Sequence, residues 1–370
     1  MDESRKKNPF EIDFDSYIRQ GEPDKKEKGI AWAIATGLQQ VDGLTPSKYL
    51  YKTAKRNIEG EITIDDAKKL IDSYYESKAV RTDNDEDTEE ADKVSARITE
   101  LLSEKTFTFS PDQLLSIHDR LFKGVFKKVR AGKFRDYNIT KKEWALDGDT
   151  VLYVNADLIS ETLKYDFETE KKFDYSKLTP QESIKHLTRF IANIWQTHPF
   201  GEGNTRTTAV FTIKYLKFLG LDINNEPFEK HSWYFRNALV RANYTNMPKG
   251  IYMTTEYLER FFRNLLLGEH NELKNRYTHI RYDESIKENT EKAGESNTAK
   301  ITQKITVKIT VNQQKIIDEI KKNPFVTQEE LSSLVGIARL NIIKNMKKLQ
   351  EQNIIRRIGA DKNGHWEVQV

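Results

Sequence analysis

Nine consecutive residues, His198-Pro-Phe-Gly-Glu-Gly-Asn-Thr-Arg206, place a base, a carboxylate, two glycines, an amide and a guanidinium within one turn of chain. His198 titrates near neutrality, so it can take a proton from a hydroxyl and later return it. Glu202 offers a hard oxygen to Mg²⁺, which usually binds through one or two carboxylates plus substrate phosphates. Gly201 and Gly203 let the backbone approach an anion closely, and Asn204 is a good N-cap before the apolar run Ala209, Val210, Phe211, Ile213, Leu216. The N–H groups at that helix start would face phosphate oxygens, and Arg206 one turn in adds a planar fork of donors suited to phosphate. The set points to handling of a nucleotide phosphate, with the metal brought in by the nucleotide. The competing reading is a glycine turn between two core helices, in which six polar or glycine positions share one turn by accident.

The elements that must position this loop are helices. Ile184, Leu187, Ile191, Ile194 and Trp195 recur at helical spacing from a start near Thr179-Pro180, so a helix, the loop and a second helix run in series. The chain up to about residue 275 reads mostly as helix, and the acidic stretch from Asp83 to Asp92 is a solvated loop and helix start before Val94, Ile98 and Leu101. Residues 138–154 depart from this, because Asp147-Gly148 separates two short β-prone runs and signals a hairpin. Trp233 to Asn243 reads as helix, with Asn243 either contacting a ligand or capping the helix.

Composition bounds the rest. The chain has 370 residues, a net charge of +3, 32% charged residues, no cysteine and seven histidines without paired ligand spacing. Disulfides and thiolate metal sites are therefore excluded, and six of the histidines read as structural or surface residues. No apolar stretch is long enough to span a membrane and the first residues carry no hydrophobic signal region, so a soluble, cytoplasmic protein is expected.

The His198–Arg206 segment resembles the signature of the Fic family: His-Pro-Phe, any residue, Asp or Glu, Gly-Asn-Gly-Arg, and a second Arg three residues on. The resemblance covers roughly residues 50 to 270. It implies a mainly α fold, a helical bundle with a β-hairpin flap, and a protein adenylyltransferase that moves AMP from ATP to a Tyr, Ser or Thr hydroxyl. It implies His198 as base, Glu202 on Mg²⁺, and Gly203, Asn204 and Arg206 on the phosphates, with the target protein docked along the 138–154 flap by strand addition. Ala131-Gly-Lys-Phe-Arg135 looks like the family's lead into that flap, and Trp233–Asn243 like the wall of its adenine and ribose pocket, with Asn243 as the matching polar contact. Two positions depart from the pattern. Thr205 replaces a glycine, so the backbone there should be ordinary helix with a hydroxyl available to phosphate. Ala209 stands where the second arginine is usual, which leaves nucleotide preference open.

Asn57-Ile58-Glu59-Gly60 resembles the family's inhibitory motif, in which a glutamate inserts beside the arginines. Position 55 is Lys where the family has Ser or Thr. A Gly60 helix stop followed by the cap Thr63 explains the same residues without regulation. By resemblance, Glu59 either inhibits, so that Glu59→Gly raises self-labelling, or positions water to remove AMP from modified protein.

The chain divides, on this reading, into a helical region with the inhibitory segment at 1–95, a catalytic core at 96–270, a polar linker with an edge strand at 271–311, and a small domain at 312–370. In the last, a helix over Gln313 to Asn323, the capping box Thr327-Gln-Glu-Glu330 opening a second helix, Gly336, a third helix from Ala338 to about Gln352, and two runs flanking a Gly359–Gly364 loop describe a winged helix. Residues 301–370 hold 12 Lys or Arg against 7 Asp or Glu, and Arg339, Lys344, Lys347, Lys348, Arg356, Arg357 and Lys362 supply enough cations for phosphate contacts. DNA and protein are both candidate partners there, and a homodimer is left open. The alternative function is a DNA-binding regulator whose core senses nucleotide. His198 and Glu202 favour the enzyme, since binding alone needs neither a base nor a metal ligand.

Overall fold

The computed structural model describes residues 14–20, 22–77, 83–127, 129–282, 311–337, 339–351, 354–358 and 365–368. The chain forms two compact units, Met1–Glu284 and Ser285–Val370.

In the first unit the helices are α1 (Phe14–Gln20), α2 (Pro23–Gly37), α3 (Lys48–Ile58), α4 (Ile64–Glu76), α5 (Asp83–Ser103), α6 (Pro111–Phe122), α7 (Ile159–Lys171), α8 (Pro180–Thr197), α9 (Asn204–Phe218), α10 (Glu226–Lys230), α11 (Ser232–Ala242), α12 (Glu256–Leu267) and α13 (Asn275–Thr278). The start of α8 follows its sequence: the Thr179 hydroxyl and Glu182 carboxylate close a reciprocal cap, with Pro180 in the first turn. α9 is the central element, buried from Asn204 through Leu216. A helix covered on all sides is held by its neighbours rather than by an amphipathic stripe. Some of its buried polar residues find backbone partners: the Thr212 hydroxyl donates to the Thr208 carbonyl at 2.7 Å, and Lys214 Nζ to the carbonyls of Leu101 and Glu104 at 2.7 and 2.9 Å, which closes the end of α5.

Two apolar clusters share α2 and the residue that follows it, Leu38. Ala31, Ile34, Ala35 and Leu38 join the main core with α5, α8 and α9, while Trp32 and Ala33 join a smaller cluster with Leu50, Ala54 and Ile58 of α3 and Ile71 and Tyr75 of α4. A short 3-10 helix, Leu38–Asp42, continues α2 and carries Gln39 and Asp42 towards α9.

The hairpin expected over 138–154 does not form paired strands. Asp147 and Gly148 do turn the chain, at φ 58° and 85°, but the closure consists of a 3-10 turn at Trp144–Leu146 and backbone bonds between Glu143 and Asp149 at 2.9 Å and Gly148 and Glu143 at 3.0 Å. Ala145 and Leu146 are drawn into the core, and the Ala145 carbonyl accepts from the Ile280 amide at 2.9 Å, so core packing displaces the β ladder.

The second unit holds α14 (Val311–Lys322), α15 (Gln328–Val335), α16 (Arg339–Glu351), β1 (Ile355–Ile358) and β2 (His365–Val368). Thr327 and Glu330 form the expected capping box, Gly336 turns at φ 74°, and β1 pairs antiparallel with β2 from Ile355 opposite Val368 to Ile358 opposite His365. Ile316, Ile317, Ile320, Leu331, Ile342, Met346 and Leu349 make its core. This is a winged helix-turn-helix. The edge strand expected near 301–309 and the loop 359–364 lie outside the described residues.

Candidate active site

The loop between α8 and α9 begins with backbone strain. His198 ends α8 in the left-handed region, φ 47° and ψ 58°, a conformation uncommon for a residue with a Cβ. It is held there by Arg135, whose Nε donates to the His198 carbonyl at 2.8 Å and whose Nη atoms reach the carbonyls of Tyr137, Thr197 and Val154. The Arg135 amide also donates to the Pro199 carbonyl at 2.9 Å. One buried guanidinium therefore satisfies the end of α8 and ties it to Tyr137 and Val154, which flank and close the 138–154 segment.

His198 is 3% exposed, and Nδ1 sits 3.2 Å from the Trp195 carbonyl. That contact places the proton on Nδ1, and Nε2 carries no hydrogen bond to a described residue. Burial pushes the imidazole well below its usual range, helped by the charges of Lys141, Arg236 and Arg135. The ring is therefore neutral at pH 7, the state a general base needs. Tyr153 packs on it with ring centres 4.1 Å apart, and Trp195 meets it edge-on at 5.1 Å.

A second histidine positions the loop. The Gly132 amide donates to His118 Nδ1 at 3.0 Å, so Nε2 carries the proton and donates to the Glu202 carbonyl at 3.0 Å. His118 stacks on Phe200 with centres 3.7 Å apart, and burial lowers it to about 4. Asn204 clips the same loop: its Oδ1 accepts from the Phe200 amide at 2.9 Å and its Nδ2 donates to the Phe200 carbonyl at 2.7 Å.

Several expected roles change once these partners are seen. The N-cap of α9 is Gly203 at φ 76°, and Asn204 is the first helical residue with its amide committed to Phe200. A Cβ at Gly203 would come within 2.4 Å of the buried Phe122 ring, so close packing and its positive φ already require that glycine, while one at Gly201 would meet the movable Tyr137 hydroxyl at 2.5 Å. Thr205 lies in the first helical turn as expected, and its buried hydroxyl accepts from Trp195 Nε1 at 3.0 Å. Asn243 caps α11, donating from Nδ2 to the Leu239 carbonyl at 3.0 Å and to Ala192 of α8 at 3.1 Å. It ties two helices together.

Arg206 is 2% exposed and enclosed by carboxylates. Nη2 donates to Glu90 at 2.5 Å and Nη1 to Gln39 at 3.1 Å, while Nε lies 2.8 Å from Asp42 Oδ2, near enough to pair but not aligned as a hydrogen bond. The other oxygen of Asp42 takes Arg236 Nη1 at 3.3 Å, and Arg236 Nη2 reaches Glu143 at 3.1 Å. Glu143 in turn accepts from the Tyr153 hydroxyl at 3.1 Å, which completes a charged chain from Glu90 to the tyrosine packed on His198. Glu59 stands outside it. Its carboxylate accepts from Tyr17 at 2.5 Å and pairs with Lys25 at 3.1 Å, which hold it below the usual carboxylate range. The carboxylates on Arg206 are Asp42 and Glu90, contrary to the expected insertion of Glu59.

Glu202 is half exposed and meets Lys141 Nζ at 2.8 Å. No group of three or more His, Cys, Asp or Glu side chains suited to a metal occurs among the described residues. A lone reachable carboxylate fits a hard cation whose other ligands are phosphate oxygens and water.

The sequence reading missed His118, Arg135, Lys141, Glu143, Tyr153 and Arg236. Arg135 lies in Ala131–Arg135, Lys141, Glu143 and Tyr153 in 138–154, and Arg236 in Trp233–Asn243, so these segments were marked although the single residues were not. His118 had no signal, and folding alone brings it to the loop.

Comparison with known families matches residues 108–216 to the Fic/DOC family and residues 310–356 to the winged helix-turn-helix DNA-binding family. No curated relative matches the chain. No helix among the described residues is long and apolar enough to cross a membrane.

Proposed function

We propose that the Fic/DOC-family domain of this chain is a protein adenylyltransferase, which transfers AMP from ATP to a Tyr, Ser or Thr hydroxyl of a protein and releases pyrophosphate. The observation that carries the reading is His198, buried and neutral, with Nδ1 on the Trp195 carbonyl and Nε2 without a described partner. Nε2 takes the proton of the target hydroxyl as its oxygen bonds to the α-phosphorus. The bond from that phosphorus to the bridging oxygen breaks, and the proton leaves His198 afterwards. The cations around the ring favour that release. The amides of Asn204, Thr205 and Arg206, first in α9, offer donors and a helix dipole to phosphate oxygens. Mg²⁺ on Glu202 would neutralise phosphate charge. The target segment lies along the arms of 138–154.

Incorporation from ATP labelled at the α-phosphate tests this. His198→Ala should lower it by about 10²–10⁴-fold, the usual contribution of a positioned base. Equal labelling by parent and variant removes His198 from the chemistry.

The match of residues 310–356 to a DNA-binding family supports a second role, in which α16 and β1 bring Lys344, Lys347, Lys348 and Arg356, all exposed, to duplex phosphates.

A further inference from the structure

The cations of the loop and its surroundings are not equivalent. Arg206 is enclosed by Glu90, Asp42 and Gln39, Arg236 is paired with Asp42 and Glu143, and Arg135 is committed to backbone carbonyls. Lys141 differs, since its described partner is the half-exposed Glu202 carboxylate, with Nζ to Oε2 at 2.8 Å. The backbone around it is anchored. Its own amide donates to the Thr150 hydroxyl at 3.3 Å, and two residues on, Glu143 is fixed by Arg236, Tyr153 and Asp149. The arm is thus braced while the Lys141 ammonium is held by one solvent-accessible contact.

A triphosphate is a polyanion, and Ala209 leaves the second turn of α9 without a cation. A divalent cation arriving with that triphosphate would compete with the ammonium for Glu202. We propose that Lys141, which pairs with Glu202, is a phosphate-binding residue of the nucleotide site and is transferred to a phosphate oxygen when a metal-bound nucleotide takes the Glu202 carboxylate. Lysine suits this as a compact point charge on a long stem, able to change partner with little backbone movement. The inference rests on the nucleotidyl-transfer reading for the identity of the ligand and extends it to a residue outside the nine-residue loop.

The test uses the full chain, a fluorescent ATP analogue with Mg²⁺, and Mn²⁺ alone followed by electron paramagnetic resonance. Lys141→Met should weaken the analogue by about tenfold or more, Lys141→Arg should restore most of that affinity, and Mn²⁺ alone should bind Lys141→Met at least as tightly as the parent, because a competitor for Glu202 is gone. Circular dichroism of each variant establishes that the fold is retained. Nucleotide affinity in Lys141→Met equal to the parent's overturns the proposal, as does loss of Mn²⁺ together with nucleotide, which would make Lys141 a brace for the loop. A parent that needs Lys141 to bind nucleotide but labels no protein leaves Lys141 standing and removes the transferase reading. A parent that labels protein while Lys141→Met binds nucleotide normally does the reverse.

Discussion

His118 illustrates how a residue acts on chemistry it does not touch. Its neutral ring joins the Gly132 amide to the Glu202 carbonyl, and protonation would put a second donor where Nδ1 must accept. Its value in the fold, about 4, lies below the ordinary 6.5, so the unfolded chain binds the extra proton first as pH falls. The stability from His118 is therefore complete above about pH 6.5 and is lost as pH falls towards 4, by on the order of 3 kcal/mol for a fully buried ring. His118→Gln should flatten that part of the acid limb relative to the parent, read from urea midpoints at pH 7 and pH 4.5. An unchanged difference between the two pH values would place the acid sensitivity elsewhere. His198, also depressed by burial, adds to the parent's limb with the same sign.

Elements decide which carboxylate meets which cation. α5 carries Glu90 and the 3-10 extension of α2 carries Asp42, and these two reach Arg206 at the start of α9. Glu59 ends α3, which packs with α2 and α4 in the smaller cluster, and there Tyr17 and Lys25 engage it. Glu90→Ala should lower stability by about 2 kcal/mol, less than for a dry pair because Glu90 is one-fifth exposed and Asp42 remains. Denaturant titration measures this. Glu59→Gly should leave labelling from ATP as it is in the parent, and a several-fold rise would require a contact with the loop that α3 does not make here. At this scale the helices were readable because Thr179-Pro180 and Thr327–Glu330 cap by local chemistry. The 138–154 segment was misread as paired strands because its turn residues are local while the burial of Ala145 and Leu146 is not.

The molecule consists of two units, each with its own apolar core, so each has the means to fold around its own residues. The small unit's affinity for duplex DNA would come from phosphate contacts and should fall with salt, log K against log salt having a slope of about −4 if Lys344, Lys347, Lys348 and Arg356 each neutralise one phosphate. Gel shift with random duplex over a salt series measures it, and the shift should vanish when residues 301–370 are deleted. Salt-independent retention would point to another kind of surface.

The sequence by itself determined the helical class, the helix-loop-helix around His198 and the winged helix, because caps, periodicity and turn residues act over a few positions. It also marked His198 and Glu202, whose chemistry is intrinsic to their side chains. Only the tertiary structure decided what the remaining loop residues do. Asn204, Thr205 and Arg206 are types suited to phosphate, yet their side chains are taken by Phe200, Trp195, Asp42 and Glu90, while Lys141, from another element, faces Glu202. A side chain's type limits what it can bind, but its partner is whichever group long-range packing brings within about 3 Å.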